Sequence, residues 1–431
     1  MNRIKIAVIG AGSTYTPELI EGLIKLRDEL PLKAISLMDI DRRKLEIVGG
    51  LAKRMLDTHG VQCDFILTED LDEAVRGSDF VVGQIRVGGL EARVKDEKIP
   101  LKYGLIGQET TGIGGFLKAM RTIPAVMEIA HSIEKNCPDA WFINFSNPSG
   151  IIAEAVLNHT GVKMIGLCNS PTNMKLDVLK KLPAHAGTPE FEFVGLNHLV
   201  WITRITCDGK DMLKEMLAGK SPVPFAQNII QVEMDETLLA GIGAIPSSYL
   251  SYYYCRDAQM KKLLEAPECR AETCLRIQRE LLEEYDDPNL SEKPSKLDQR
   301  GGHSYSKAAI SLISAIHNDK NEIHVVDVKN NRALEFMEDS DVVEIGCNVN
   351  RNGATPVPVR QFQKEHIIGL MRVVKSYEKL AVKAGLEGSY GDALNALIIH
   401  PLIGDYAKAK GALDELLQAH RDYLPQFFRQ R

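Results

Sequence analysis

The residues of this chain whose types and spacing suggest chemistry begin at a glycine turn. A compact β-branched run, Ile4 to Ile9, predicts a buried strand, and the turn after it contains Gly10, Gly12 and Ser13, followed by a predicted helix over residues 18–27. Gly10 permits a tight turn, Gly12 lets the backbone approach a phosphate, and the helix N-terminus offers free N–H groups. Strand, turn and helix in this order predict that Gly10, Gly12 and Ser13 bind a dinucleotide.

An acidic residue stands where a dinucleotide site needs one. A second apolar run, residues 34–38, predicts a strand that ends at Asp39, so this carboxylate points into the crevice where the adenosine ribose hydroxyls lie. Asp41 is predicted instead to cap a helix that begins at Arg42. Because a carboxylate disfavours a 2′-phosphate, Asp39 favours NAD over NADP. The alternative is the ordinary glycine turn and strand-end carboxylate of any α/β protein.

Two residue types that bind metals also stand at predicted strand ends. Cys168 follows a strand predicted at residues 162–167, and His198 follows one predicted at residues 191–196. A thiolate and an imidazole that meet at a crevice can hold a transition metal and leave coordination positions open for substrate oxygens. The spacing alone leaves the alternatives open: a small core cysteine and a histidine whose hydrogen bonds are satisfied within the fold.

The composition is that of a globular protein in a reducing compartment. The length of 431 residues predicts two domains, and the hydrophobic share of 44% and charged share of 26% are typical of globular proteins. The net charge of −6 gives no indication of a basic surface for nucleic acid. No apolar run approaches a membrane span, and the N-terminus leads directly into a strand. The eight cysteines are scattered without a CxxC pair, which argues against a disulfide framework. We therefore expect a cytoplasmic protein that binds neither nucleic acid nor membrane.

The elements that position these residues alternate between strands and helices. Strands predicted at 4–9, 34–38, 65–68, 79–85, 140–143 and 162–167 form a doubly wound parallel sheet of Rossmann type, of which 162–167 is the last strand. We predict an NAD-binding domain over residues 1–182 and a second α+β domain over residues 183–431, which carries the substrate site and the oligomer contacts. A polar stretch with four glycines, Gly107 to Phe116, is predicted as a loop that faces the ligand.

Several longer motifs occur in one order along the chain, and together they resemble the family 4 glycoside hydrolases, which are NAD-dependent glycosidases. The resemblance covers nearly the whole chain and implies a fold like that of lactate and malate dehydrogenases. The motifs are GAGST at Gly10–Thr14, DEKIPLKYGLIGQETTGIGGF at Asp96–Phe116, NFSNPSG at Asn144–Gly150, GLCNSP at Gly166–Pro171, GLNHL at Gly195–Leu199, SYLSYYY at Ser248–Tyr254 and RGGHSYS at Arg300–Ser306.

The resemblance implies a metal centre and a base. Cys168 and His198 match the family's ligands of a divalent cation, typically Mn²⁺. Tyr249, the first tyrosine of its cluster, matches the general base. The later tyrosines of the cluster are predicted to pack in the core.

The resemblance also implies which residues bind the substrate. Arg93, Asn147 and Arg270 match substrate-binding positions, and the two arginines suit a sugar phosphate because a guanidinium fork pairs with phosphate oxygens. Asn169 is the residue found in the 6-phospho-β-glucosidase branch, where the α-glucosidase branch has an aspartic acid as proton donor. His303 stands where the family pattern has a small residue, which leaves the preferred sugar and leaving group open.

The implied activity is hydrolysis of 6-phospho-β-glucosides, either phosphorylated disaccharides such as cellobiose 6-phosphate or aryl glucosides. The implied route is transient oxidation at C3 by NAD, deprotonation at C2, elimination of the aglycone and addition of water, without net NADH. The alternatives are another specificity of the family (6-phospho-α-glucosidase, α-galactosidase or galacturonidase), a metal-assisted dehydrogenase of a sugar or hydroxy acid, and a catalytically silent NAD-responsive binding protein. A homo-oligomer, dimer or tetramer, is also implied.

Overall fold

The computed structural model describes residues 3–183, 187–218, 229–300 and 305–429 of the chain, so His303 lies outside the described residues. The strands of this part form two sheets. They are β1 Ile4–Ile9, β2 Leu32–Met38, β3 Asp64–Thr68, β4 Phe80–Gly83, β5 Trp141–Asn144, β6 Lys163–Gly166, β7 Pro189–Leu196, β8 Leu199–Cys207, β9 Lys210–Asp211, β10 Ile245–Pro246, β11 Glu322–Lys329, β12 Val342–Asn350 and β13 Gly353–Pro356.

Helices connect and cover these strands. Among the described residues, none combines the length and the apolar composition needed to cross a membrane. The α-helices are α1 Thr16–Lys25, α2 Arg42–Thr58, α3 Leu71–Val75, α4 Gly89–Lys98, α5 Gly112–Asn136, α6 Ser149–His159, α7 Ser170–Leu179, α8 Leu213–Leu217, α9 Glu236–Ile242, α10 Ser251–Tyr254, α11 Arg256–Glu265, α12 Arg270–Tyr285, α13 Tyr305–His317, α14 Glu365–Glu387, α15 Tyr390–Ile399, α16 Tyr406–Ala419 and α17 Pro425–Phe428, with 3₁₀ helices at Pro100–Tyr103, Ser248–Leu250, Ser295–Arg300 and Arg421–Tyr423.

The larger sheet carries the glycine turn. Its strand order is β13-β12-β11-β6-β5-β4-β1-β2-β3, and β1 pairs in parallel with β2 on one side and with β4 on the other. Ile6 and Val8 of β1 are fully buried, as expected of a strand that is covered on both faces. The predicted Rossmann-type parallel sheet is therefore confirmed, and β1 has its predicted bounds. The carboxyl ends of β1 to β6 share one edge, where ligands bind in such folds.

The prediction that residues 162–167 form the last strand of this sheet is wrong. Strand β11 runs antiparallel beside β6, with Asp327 opposite Gly166, and β12 and β13 extend the sheet further. Pairing between segments this far apart in sequence leaves no local periodic signal. The strand β11 is therefore predictable from its own residues, but the sheet to which it belongs is not. The chain after residue 182 thus contributes strands to both sheets. The division at residues 182 and 183 stays a prediction.

The predicted loop over Gly107–Phe116 is also partly wrong, because α5 begins at Gly112. Glycine inside a helix usually serves close packing when it is not a break. A Cβ atom at Gly114 would lie 2.2 Å from the carbonyl oxygen of Gln108. The glycine therefore lets the preceding loop fold back against the first turn of α5.

The smaller sheet presents a tight hairpin toward the larger one. Its order is β10-β8-β7, with β9 paired to β8, and all the pairs are antiparallel. Leu196 of β7 pairs with Leu199 of β8, so Asn197 and His198 form a two-residue loop between the strands. Behind the loop, Asn197 Nδ2 donates a hydrogen bond of 3.2 Å to Glu344 Oε1 on β12.

Two buried carboxyl groups face each other in the larger sheet below this hairpin. Asp327 of β11 and Glu344 of β12 are directly opposite in the strand register, and both are fully buried. Ser149 Oγ donates a 2.6 Å hydrogen bond to Asp327 Oδ2. Burial and then the charge of Asp327 raise the pKa of Glu344 well above its ordinary value, and burial raises the pKa of Asp327 to about 6. The pair therefore holds a shared proton at neutral pH.

Replacement of Glu344 by glutamine is expected to stabilise the protein at alkaline pH. The raised pKa means that the native state keeps a proton which the unfolded chain loses above about pH 4.5, so wild-type stability falls as the pH rises from there through the folded pKa. Glutamine has no proton to lose and offers an N–H donor to Asp327. We expect the variant to be more stable by about 1–3 kcal/mol near pH 8 and nearly unchanged near pH 5, measured by chemical denaturation.

The matched control is Glu190→Gln, an exposed glutamate on β7. We expect its stability to follow the wild type at both pH values. If the free energy of unfolding of Glu344→Gln falls with pH as steeply as that of the wild type, the shared proton is assigned to the wrong pair.

Candidate active site

One cavity of about 650 Å³ opens at the carboxyl ends of the parallel strands. It brings together residues from the glycine turn, the end of β2, helix α4, the ends of β5 and β6, the hairpin loop and the tyrosine cluster. Cys168 is buried, and neither Cys168 nor Arg270 is among the lining residues. The predicted site residues that line it are Gly10, Gly12, Ser13, Asp39, Arg93, Asn147, Asn169, His198 and Tyr249.

The glycine turn fits a dinucleotide. Gly10 has a φ of +89°, and a Cβ atom there would lie 3.0 Å from the backbone of Gln84. Gly12 N donates a hydrogen bond of 2.8 Å to Asp39 Oδ2, and a Cβ atom at Gly12 would lie 2.9 Å from that same oxygen. Burial raises the pKa of Asp39, while the hydrogen bonds from Asp41 N and Gly12 N oppose this. A hydrogen bond thus joins the glycine turn to the Asp39 carboxylate at the cavity wall. Because Gly10 and Gly12 have no side chains, a ligand can approach the backbone of the turn.

The N-terminus of helix α2 confirms the predicted role of Asp41 as its cap. Asp41 is the N-cap residue of α2, and its side chain accepts a hydrogen bond of 3.1 Å from Lys44 N. Both Asp39 and Asp41 line the cavity. The contact of Asp39 with the ribose hydroxyls stays a prediction.

His198 has the features of a metal ligand. It occupies the hairpin loop with a φ of +64°, a conformation that costs a residue with a side chain about 1 kcal/mol or more. Its Nδ1 atom is buried and has no hydrogen-bond partner among the described residues. Burial lowers the pKa of His198 to about 3, so the imidazole is neutral, the form that binds a metal. A strained and unsatisfied imidazole facing a cavity fits a cation.

Cys168 follows β6 and is 2% exposed, and its Sγ atom accepts a hydrogen bond of 3.4 Å from Ser170 N. In the part of the chain that the structure describes, no three His, Cys, Asp or Glu side chains form a group that could hold a metal. The assignment of Cys168 and His198 as metal ligands therefore stays a prediction. Two protein ligands would leave the other coordination positions of a cation to water or substrate oxygens.

Tyr249 links the two predicted metal ligands. Its ring stacks on that of His198, with the centroids 4.2 Å apart and the planes at 29°. Burial is the main cause that raises the pKa of Tyr249 well above its ordinary value, and the negative charges of Cys168 and Glu109 add to it. A cation at Cys168 and His198 opposes these effects because it favours the phenolate. The neighbouring Tyr252 is 2% exposed and packs in the core as predicted.

The two predicted asparagines face the cavity. Asn147 Nδ2 donates a 3.1 Å hydrogen bond to the carbonyl of Phe145, and its buried Oδ1 atom has no hydrogen-bond partner among the described residues. Asn169 is the N-cap residue of α7 and also lines the cavity. The geometry leaves an acceptor on Asn147 available for a sugar hydroxyl. The substrate role of both residues stays a prediction.

Arg93 belongs to a buried cluster of charges that the sequence does not predict as a unit. Its Nε atom donates to Glu97 Oε1 at 2.6 Å, and its Nη1 atom lies 3.0 Å from Glu109 Oε1. Glu109 also contacts Arg86 at 2.6 Å and Lys118 at 2.9 Å. Burial opposes ionisation of Glu109, but these three cations hold its pKa well below the ordinary value. Burial and then the charge of Arg86 lower the pKa of Lys118 to about 7.

Arg270 donates hydrogen bonds to the backbone beside the cavity. Its Nη2 atom donates to the carbonyl oxygens of Gln299 at 3.0 Å and Arg300 at 2.9 Å. Arg300, which the sequence analysis does not single out, lines the cavity in its place. The sequence signal that could have indicated Arg300 is its place as the first residue of the RGGHSYS motif.

Comparison with known proteins gives consistent matches along the chain. A family model described as family 4 glycosyl hydrolase matches residues 5–183, and one described as the family 4 glycosyl hydrolase C-terminal domain matches residues 193–403. A protein of Bacillus subtilis (strain 168) named probable 6-phospho-beta-glucosidase is 44% identical over 99% of this chain and 98% of its own length. The 6-phospho-beta-glucosidase of Escherichia coli (strain K12) is 38% identical over 99% and 97%.

Solved structures give the same result for the fold. The 6-phospho-beta glucosidase from Thermotoga maritima, solved with manganese, NAD⁺ and glucose-6-phosphate, matches with a TM-score of 0.88 and 34% identity over 97% of this chain and 99% of its own. A lactate dehydrogenase from a Medee basin deep-sea metagenome library matches with a TM-score of 0.53 and 13% identity over 89% of this chain and 100% of its own. The second match concerns the fold alone, and it confirms the predicted dehydrogenase-like architecture.

Proposed function

Because the chain belongs to glycosyl hydrolase family 4, we propose that it is a 6-phospho-β-glucosidase that requires NAD and a divalent cation, most suitably Mn²⁺. The observation that carries the proposal is the single cavity that joins a dinucleotide turn, an unsatisfied imidazole and a stacked tyrosine. The proposed substrates are phosphorylated disaccharides, such as cellobiose 6-phosphate, and aryl 6-phosphoglucosides.

The chain's own residues would hold each ligand. The glycine turn at Gly10 and Gly12, with Asp39, would hold the dinucleotide, and Cys168 and His198 would hold the cation. When bound, NAD supplies a hydride acceptor for C3 of the sugar and the cation supplies a Lewis acid, which together make the proton on C2 acidic.

Tyr249 then acts as the general base. The stacking of its ring on the imidazole of His198 supports a position of Tyr249 beside the proposed cation site. Nearby cationic charge favours the phenolate, which accepts the C2 proton. Removal of this proton weakens the bond between C1 and the aglycone, which leaves by β-elimination. No pair of catalytic carboxylates is needed.

Asn169 supports the β rather than the α specificity. An amide donates a hydrogen bond but cannot release a proton as an acid, so it does not protonate the leaving group. In the elimination, the electron pair left at C2 forms the C1–C2 double bond and expels the aglycone oxygen with its bonding pair. An aryloxide is a good leaving group and needs little protonation. The proton for a disaccharide leaving group comes from water or from another cavity residue.

A substrate screen tests the proposal. Chromogenic α- and β-6-phosphoglycosides are incubated with the protein while NAD and Mn²⁺ are left out in turn. We expect release of the aglycone from the 6-phospho-β-glucoside only when both are present, with no accumulation of NADH by its near-ultraviolet absorbance. Stoichiometric NADH would favour a metal-assisted dehydrogenase of a sugar or hydroxy acid, and cleavage of the α-anomer alone would favour another specificity of the family.

We also propose a cytoplasmic location and a homo-oligomeric state, a dimer or a tetramer. The location is supported by the eight cysteines, none of which forms a disulfide bond in the structure. The oligomer is supported by the family resemblance, and sedimentation equilibrium of the purified protein measures it. The domain division at residues 182 and 183 remains part of this proposal.

A further inference from the structure

We propose that Arg300 binds a phosphate group, either the pyrophosphate of the dinucleotide or the phosphate on the sugar. The inference rests on the proposed function, because both phosphates belong to the ligands named there. Arg300 ends the 3₁₀ helix Ser295–Arg300, lines the cavity and is 7% exposed. It stands outside the set of substrate residues that the motifs predict.

The charge balance of the cavity singles out Arg300. Five basic residues line the cavity, and Arg300 is the one without a carboxylate within 4.0 Å among the described residues. A buried cation without a counter-charge is costly, so an anionic ligand that supplies the missing charge is bound with a large gain. Each of the other four basic residues forms an ion pair: Lys44 with Asp41 at 2.8 Å, Arg86 with Glu109 at 2.6 Å, Arg93 with Glu97 at 2.6 Å and Lys118 with Glu109 at 2.9 Å.

Among the described residues, the contacts of the Arg300 guanidinium are with uncharged groups. Its Nη1 atom donates to Thr14 Oγ1, its Nη2 atom donates to Gln278 Oε1 at 3.3 Å, and the group lies 4.8 Å from the ring centroid of Tyr15. These bonds use two of the five N–H donors of an arginine. Three donors therefore remain for a ligand, in the planar fork that matches phosphate oxygens.

The position of Arg300 is compatible with either phosphate, that of the dinucleotide or that of the sugar. Thr14 and Tyr15 belong to the turn between β1 and α1, where the pyrophosphate of a dinucleotide binds. The same cavity is also lined by Asn147 and Tyr249, which the proposed function assigns to the sugar. Arg300 thus lies between the cofactor turn and the substrate part of the cavity.

Arg270 acts as a positioning residue for this group. It donates hydrogen bonds to the backbone carbonyls of Gln299 and Arg300, at the point where the 3₁₀ helix ends. Cys274 Sγ lies 3.9 Å from the Arg300 carbonyl oxygen as well. Helix α12, which carries Arg270 and Cys274, therefore holds the main chain of Arg300 in place while its side chain faces the cavity.

Calorimetric titration of the full chain tests the proposal without relying on turnover. NAD is titrated into the wild type and into Arg300→Gln, and glucose 6-phosphate is titrated into each protein saturated with NAD and Mn²⁺. Glucose serves as the probe that lacks the phosphate. Loss of a charge-assisted phosphate contact is expected to weaken binding about 10- to 100-fold.

The two arms distinguish the sources. Weaker binding of NAD alone assigns Arg300 to the pyrophosphate, weaker binding of glucose 6-phosphate alone assigns it to the sugar phosphate, and weaker binding of both assigns it to a shared position. Glucose is expected to bind the variant as it binds the wild type. Affinities for NAD and glucose 6-phosphate that both stay within about twofold, in a variant that melts like the wild type, overturn the proposal.

Two further variants keep the result interpretable. Arg276→Gln removes an exposed arginine of helix α12, the helix that carries Arg270. It is expected to change the affinity for neither NAD nor glucose 6-phosphate. Arg300→Lys keeps the buried charge but loses the fork, so we expect binding at least about threefold weaker than in the wild type. If Arg300→Gln does not fold, unchanged affinities in Arg300→Lys overturn the proposal. Because these titrations do not measure cleavage, a failed substrate screen and a failed Arg300 assignment remain distinguishable.

Discussion

Replacement of Tyr249 by phenylalanine is expected to lower kcat for a 6-phospho-β-glucoside by about 10²- to 10⁴-fold, the usual contribution of a general base. The change removes one oxygen and leaves the ring stacked on His198, whose centroid lies 4.2 Å away. The packing of the hairpin loop and the affinity for NAD should therefore stay close to those of the wild type. Activity is measured with the chromogenic substrate, and NAD binding by calorimetry.

An isotope measurement connects the loss of rate to the proposed proton. When the wild type hydrolyses substrate in deuterated water, the released sugar phosphate should carry deuterium at C2, because that proton passes through Tyr249 and exchanges with solvent. Tyr249→Phe should lose this exchange together with turnover. Deuterium at C2 at the wild-type rate in Tyr249→Phe would assign the base to another residue.

The matched control is Tyr252→Phe. Tyr252 belongs to the same tyrosine cluster, three positions along the chain, but it is 2% exposed, packs with Ile106 and Leu402, and does not line the cavity. We expect its kcat to stay within about twofold of the wild type. A similar loss in both variants would indicate that the hydroxyl groups matter for packing and not for proton transfer.

The cofactor side of the site is predictable from sequence because its determinants are local. Gly10 and Asp39 directly follow the buried parallel strands β1 and β2, and Gly12 lies in the turn after β1. The carboxyl ends of parallel strands lie at the same edge of the sheet. The cap at Asp41 is likewise decided within four residues, where its side chain accepts a hydrogen bond from Lys44 N. Short-range geometry of this kind depends little on the rest of the fold.

Charges that act over long sequence distances are not predictable in this way. Lys118 lies inside α5 and looks like a surface lysine in the sequence, yet its side chain is 5% exposed and contacts Glu109. Arg300 meets Thr14 across 286 positions of the chain. Arg270 matches a family motif, but its guanidinium contacts backbone carbonyls. A sequence states which groups are charged, whereas the fold decides which are buried together and which lack a counter-charge.

The cation site gives the second large expected effect. Cys168→Ser and His198→Gly are each expected to weaken Mn²⁺ binding by about 100-fold or more and to lower turnover by about 10³-fold, because a Lewis acid contributes several kcal/mol to such a reaction. Glycine is chosen at position 198 because it adopts the φ of +64° that the loop requires without strain. The imidazole is thereby removed while the hairpin keeps its backbone.

Free Mn²⁺ in equilibrium with each variant is measured by its paramagnetic resonance signal, and NAD binding is measured in parallel. We expect NAD affinity to remain near that of the wild type, because neither residue belongs to the glycine turn. Cys207→Ser, a buried cysteine on β8 away from the cavity, should bind Mn²⁺ normally. Retained Mn²⁺ affinity in Cys168→Ser would place the cation elsewhere. Since Tyr249 relies on nearby cationic charge to ionise, its role as a base would then lose its electrostatic support as well.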